Sequence, residues 1–178
     1  MKAKGEYSIA TALEAAPTFL SNPEVQAIVT HGQAEQTVLW PECGVQCKGR
    51  LDWVSASKHV LVDIKTTRMQ NERLFGKQFF DLGYDIKLAL YQRALQAVTG
   101  ERWPVEVLAV ENKRPFDVVP YPIPDAVLDA GWDKARRIIE HMVKAIETDC
   151  WPGKAGGGYG TLWVPSYAME EEVESFQG

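Results

Sequence analysis

Gly49-Arg50-Leu51-Asp52-Trp53-Val54 leads through the polar Ser55-Ala56-Ser57-Lys58 into His59-Val60-Leu61-Val62-Asp63-Ile64-Lys65-Thr66-Thr67. Apolar and β-branched residues on either side of a short polar turn predict two strands joined by a hairpin. Asp52 lies on the first strand, and Asp63 and Lys65 on the second. Side chains alternate along a strand, so Asp63 and Lys65 share a face, and Ile64 is expected to point to the other and anchor the strand in the core. A hairpin closing around Ala56 and Ser57 brings Asp52 within reach of Asp63. Charged groups in otherwise apolar strands are expensive to bury unless something binds them. A divalent metal between Asp52 and Asp63, with Lys65 alongside, would satisfy all three. Hard carboxylate oxygens suit Mg²⁺ or Mn²⁺ better than zinc. Lys65 could then orient or deprotonate a water and offset charge on a scissile phosphate, which makes phosphodiester hydrolysis the natural reaction. An Asp-x-Lys triplet also occurs as a solvated strand edge or a surface ion pair. Here it ends an apolar strand, follows a strand with its own acid after a glycine, and precedes a helical segment.

These residues resemble a known family. Gly-x-x-Asp (Gly49 to Asp52) followed by Asp-x-Lys (Asp63 to Lys65) is similar to the core of the PD-(D/E)XK nuclease superfamily. Thr66-Thr67, Gly83-Tyr84, Tyr91, the run Val107 to Asn112, Pro115 and Val118-Val119-Pro120-Tyr121 resemble its exodeoxyribonuclease VIII and phage recombination exonuclease branch. The resemblance runs from about Glu35 to Glu147. It implies an α/β (mixed α+β) restriction-endonuclease-like core, a central mixed sheet flanked by helices. It also implies metal-dependent cleavage of duplex DNA ends, commonly 5′ to 3′, feeding a single-strand annealing protein, and a homo-oligomeric ring that threads DNA. Carried over by position, Asp52 and Asp63 would be metal ligands, with the Ile64 carbonyl supplying another, and Lys65 the catalytic lysine. Glu35 sits where the branch often has a further acid near the metals; an ordinary solvated glutamate is the equal alternative. Tyr91 matches the tyrosine of a Gln-x-x-x-Tyr motif, whose glutamine position is Lys87 here. Tyr84, Lys87 and Tyr91 then share one helix face at i, i+3 and i+7. Together with Thr66 and Arg68 they are the expected DNA contacts. The family also has an upstream Gly-x-x-x-His helix. No segment among the 51 residues before Asp52 matches it, and His31 in its Thr-His-Gly turn is no stand-in, so a short or truncated homologue is expected.

Composition fits a water-soluble chain: 46% hydrophobic and 24% charged residues, without an apolar run long enough to span a membrane. Nor does a signal-like segment follow Met1. A cytoplasmic location in a bacterial host cell is expected. The net charge of −5 looks wrong for a DNA-binding protein until it is divided. Residues 48–93 hold nine basic and five acidic side chains, so the positive segment is the one carrying the proposed site. Cys43, Cys47 and Cys150 fit neither a disulfide framework, a zinc site nor an iron–sulfur cluster. Cys43 and Cys47 flank a hairpin at Gly44 and are expected to be small buried thiols.

Residues 1–150 are expected to form one nuclease domain, and 151–178 a Gly-rich and acidic tail. The first twenty-eight residues give two weak helical stretches, broken at Pro17 and at Asn22-Pro23. A short helix before Leu82 should turn Leu74, Phe75, Phe79 and Leu82 inward, and a longer one, Tyr84 to Val98, stops at Thr99-Gly100. Residues 105–111 and 117–123 predict an antiparallel pair turned by Arg114-Pro115-Phe116. After Pro124, an amphipathic helix from Asp125 to about Glu147 should bury Leu128, Trp132, Ala135, Ile139, Met142 and Ile146. Gly156-Gly157-Gly158 lacks a Gly-Lys-Ser/Thr ending and reads as a linker. Three functions follow in order: a Mg²⁺-dependent DNA exonuclease of phage or prophage recombination, a structure-specific endonuclease on the same core, and a DNA-binding homologue with impaired catalysis.

Overall fold

Among the described residues, five strands make one mixed sheet in the computed structural model, in the spatial order β1-β2-β3-β4-β5. The structure describes residues 16–18, 20–68, 71–151 and 153. The chain divides into two compact units, residues 1–143 and 144–178. The sheet lies in the first.

β1 (Gln33–Glu42) and β2 (Val45–Ser55) form a long antiparallel hairpin, turned by Cys43 and by Gly44 at φ +80°. β3 (Val60–Thr67) pairs antiparallel with β2 through Trp53–Val62, Val54–Leu61 and Ser55–Val60, so the turn is residues 56–59, one residue later than the Ser55–Lys58 turn read from the sequence. β4 (Val105–Glu111) runs parallel to β3 over seven residues, and β5 (Val118–Ile123) returns antiparallel to β4. A parallel neighbour needs a helical crossover, which α2 (Glu72–Asp81) and α3 (Tyr84–Thr99) supply.

The helix ends are written in the sequence. The Asn22 side chain accepts from the N–H groups of Glu24 and Val25 ahead of α1 (Pro23–Val29), and Asn71 caps α2 in the same way. Gly83 and Gly100, both left-handed, bracket α3. α4 (Asp125–Thr148) begins after Pro124.

One face of the sheet carries Val38, Trp40, Leu51, Leu61, Val105 and Val107, packed with Phe75, Phe79, Leu88 and Leu128 from the helices. The opposite face carries Val60, Val62, Leu108, Val110 and Val118 under Val25 of α1. Polar ties fix α3 to this frame. Arg93 donates to both oxygens of the buried Glu42, at 2.7 and 3.0 Å, and lies over the Trp132 ring. Lys134 of α4 holds the buried Asp85 at 2.6 Å. Gly131 allows this approach: a Cβ there would lie 2.3 Å from the Asp85 carbonyl oxygen.

Several expectations need correction. Ile64 does lie on the face opposite Asp63, but it is 38% exposed, because the cluster under α1 ends at Val62. Leu74 and Leu82 are exposed, and Phe75 and Phe79 alone bury the apolar side of α2. Ile146 is exposed as well. Cys43 is an exposed thiol and Cys47 a half-buried one, both free. The first helical stretch before Pro17, the Gly156–Gly158 segment and the acidic tail lie outside the described residues.

Candidate active site

The site forms where β2 parts from β3. Ladder pairing between them ends at Trp53–Val62, one residue short of Asp52 and Asp63. Beyond that point the Asp52 carboxylate takes over the role of the ladder, its Oδ2 accepting from the Ile64 N–H at 3.0 Å. β2 also changes face here. Cys47 and Leu51 join the core under α3, Trp53 joins the one under α1, and Val54 faces α3 again. Glu35, at φ +55°, lies opposite this switch, between the pairs Ala34–Trp53 and Gln36–Leu51. The local kink turns Asp52 toward the end of β3.

Asp63 has no exposed surface. Its Oδ2 accepts from Lys65, two residues along the same strand face, and its Oδ1 accepts from Lys87 of α3 at 2.7 Å. Each ammonium also lies over an aromatic ring at 4.8 Å, Lys65 over Tyr84 and Lys87 over Tyr91. Two carboxylates and two ammonium groups thus form one compact cluster.

Their protonation follows from this crowding. Burial, and then the neighbouring Asp63 charge, raise the Asp52 pKa above its ordinary value, outweighing the Ile64 N–H and both lysines. Burial lowers Lys65 below an ordinary lysine, although Asp63 pulls the other way. At Lys87 burial is opposed by the hydrogen bond to Asp63 and by the charges of Asp63 and Asp52, and the pKa rises.

Gly49 has a physical reason to be glycine. A Cβ on it would stand 3.1 Å from Tyr91 Cε1 and 3.3 Å from the Trp40 ring. The bare backbone lets Tyr91 lie against β2, and Tyr91 carries Lys87 above it. The glycine–aspartate spacing therefore seats a helix as well as an acid.

Asp52, Asp63 and Lys65 come together as the sequence places them, and α3 adds Lys87, Tyr84 and Tyr91, which the sequence put on one helix face as DNA contacts. Ile64 joins through its backbone. Thr66 and Arg68 are exposed at the end of β3. Glu35 pairs instead with Arg50 at 2.6 Å, both side chains exposed. Among the described residues no group of three His, Cys, Asp or Glu side chains gathers as a metal cluster, so Glu35 does not complete a three-carboxylate set. The donors that remain, the Asp52 and Asp63 carboxylates with the Ile64 carbonyl, are hard oxygens. Two carboxylates and a carbonyl where β2 and β3 part are the donor chemistry a divalent cation takes, so the set fits one. Sequence reasoning placed Lys87 on DNA and missed its bond to Asp63. It also gave no separate role to Glu111, opposite Thr67 on β4, whose Oε2 is buried without a hydrogen-bond partner among the described residues.

A family model described as a PDDEXK-like domain of unknown function (DUF3799) matches residues 2–158. The chain belongs to that family. This PDDEXK-like domain is also similar in fold to a crystal structure from Eubacterium rectale named "Putative exonuclease", with TM-score 0.63 and 16% identity, over 92% of this chain. The domain spans 65% of that longer chain. Its likeness to the crystal structure of SSO0001, TM-score 0.39 and 15% identity over 73% of this chain and 61% of that one, is too low to bear on the fold. No curated protein matches it. The mixed sheet flanked by helices is that of the PD-(D/E)XK nuclease superfamily. Among the described residues no helix is long and apolar enough to cross a membrane.

Proposed function

We propose that this PDDEXK-like domain is a divalent-metal-dependent DNA exonuclease acting at duplex ends, 5′ to 3′, in phage or prophage recombination. The observation that carries the proposal is the juxtaposition of Asp52, Asp63 and Lys65 where β2 and β3 part, with Asp63 fully buried and Lys65 on its oxygen. Isolated charges are not kept inside a sheet end without a use or a partner. The Eubacterium rectale protein's name and the motif resemblance support the exonuclease reading at the level of fold and pattern.

Asp52, Asp63 and the Ile64 carbonyl would hold Mg²⁺ or Mn²⁺. Such an ion would supply Lewis-acid polarisation of a phosphoryl oxygen and acidify a water. Lys65, its basicity lowered by burial, releases a proton to solvent and, as the neutral amine, accepts one from the attacking water. The water oxygen bonds phosphorus as the ester P–O bond breaks, and the departing oxygen takes a proton from solvent. Tyr84, below the Lys65 ammonium, restrains the stem so that the nitrogen stays at the reacting face. Thr66 and Arg68, exposed at the end of β3, would meet backbone phosphates from the edge of the site, Thr66 on the Ile64 side of the strand.

The test is digestion of end-labelled linear and closed circular duplex DNA with Mg²⁺. The proposal expects nucleotides released from linear DNA and none from circles. Discrete fragments from circles would establish an endonuclease instead, and intact DNA in both would remove the catalytic reading.

A further inference from the structure

A cation arriving beside Asp63 finds both carboxylate oxygens already bound to ammonium groups, Oδ2 to Lys65 and Oδ1 to Lys87. Each oxygen keeps a second lone pair, but a divalent ion on either one stands at contact distance from an ammonium, and like-charge repulsion favours release of one of the two lysines. The two lysines differ in freedom. Lys65 rises from the same strand two residues away, and its side chain is 12% exposed. Lys87 reaches across from α3 with a side chain 35% exposed, so its stem can swing to solvent without moving the sheet.

We propose that Lys87 is an exchangeable counter-ion: a divalent ion entering the site displaces it from Asp63 Oδ1, and the freed ammonium takes a backbone phosphate of bound DNA. This deepens the metal-dependent nuclease reading and rests on it. Repulsion between the ion and the ammonium drives the lysine outward, away from Asp63. A lysine is suited to this exchange, being a compact charge on a flexible four-carbon stem that binds phosphate as a point charge. Lys87 is thus a positioning residue with two alternative partners. Metal binding and DNA binding become coupled through one side chain, and the coupling is reciprocal.

The first test titrates Mn²⁺ into the full chain without DNA, by calorimetry. Lys87→Met removes the competitor, so Mn²⁺ should bind about tenfold tighter or more, the worth of a charge-assisted hydrogen bond. Lys87→Arg keeps the charge and should stay near wild type. Unchanged or weaker Mn²⁺ binding in Lys87→Met overturns the inference. Asp63→Asn separates it from the reading beneath: loss of Mn²⁺ binding there keeps the metal site, and undiminished binding removes the site itself. A second test measures duplex binding against salt, with and without Ca²⁺, and needs only the wild type. Release of Lys87 to a phosphate should steepen the slope of log K against log salt by about 0.9. No steepening overturns the inference.

Discussion

Gly131→Ala sets helix propensity against packing, and the structure says which wins. In a helix interior, alanine is favoured over glycine by about 0.8–1.0 kcal/mol. At Gly131 the new Cβ would stand 2.3 Å from the Asp85 carbonyl oxygen and 2.7 Å from its carbon, whereas ordinary contact begins near 3.4 Å. These are backbone atoms, so no rotamer change relieves the clash, and α3 and α4 must move apart by about 1 Å. Forced overpacking costs about 1–3 kcal/mol, and a backbone clash belongs at the upper end. The net loss is then about 2 kcal/mol, or roughly 4–8 °C in Tm for a chain of this length. Gly76→Ala in α2 is the control, because its Cβ would meet nothing within 4 Å. It should gain up to about 1 kcal/mol and raise Tm by roughly 2–4 °C. The assay is a thermal melt followed by circular dichroism. An unchanged or higher Tm for Gly131→Ala would refute the reasoning that close helix contact, rather than propensity, governs the site. Because α3 also carries Lys87 and Tyr91, cleavage per folded molecule should fall in Gly131→Ala and stay constant in Gly76→Ala.

Gly49→Ala should lower cleavage more than stability: its Cβ presses the Tyr91 ring at 3.1 Å and Trp40 at 3.3 Å, costing about 1 kcal/mol, and equal activity per folded molecule would argue against the seating role of Tyr91. Glu106, with its pKa raised by burial and then by Glu24, binds its proton more tightly folded than unfolded. Its stabilising contribution is therefore complete below about pH 4.5 and is lost as pH rises through the elevated folded value. Glu106→Gln should be more stable than wild type at pH 7 in urea melts, with the gap closing below pH 4.5; a gap that widens on acidification would reverse the assignment. The Cys47 thiol, pushed up by burial and then by Glu42 and Cys43, should react with maleimide more slowly than the exposed Cys43 and Cys150, as read by peptide mass mapping at pH 8.

The β2–β3 hairpin was legible because its apolar residues alternate around a polar turn, and Asp52, Asp63 and Lys65 stood out as charges in that pattern. Asn22, Asn71 and Gly100 mark helix ends by chemistry that acts within a few residues, so those boundaries could be read locally as well. What escaped the sequence is tertiary. Simple alternation gives no sign of the face change at Asp52 or of Glu35 at positive φ opposite it. The hydrogen bond from Lys87 to Asp63 spans twenty-four residues and depends on Gly49 admitting Tyr91 and Gly131 admitting α3. A lysine at a glutamine position looked like a phosphate contact because the acid it faces is set by how α3 docks. Ile64 looked like core because its strand is apolar, but the cluster covering that face stops at Val62.

Mg²⁺-dependent cleavage of linear duplex DNA by the wild type and Lys65→Met, beside Mn²⁺ titrations of both, tests the central claim most directly. Lys65 lies on Asp63 without being a metal donor, so the variant should retain Mn²⁺ binding and lose cleavage by a factor of about 10² or more. Cleavage at the wild-type rate with Lys65 removed would contradict the account, and the Asp52–Asp63–Lys65 cluster would then be a structural ion-pair network.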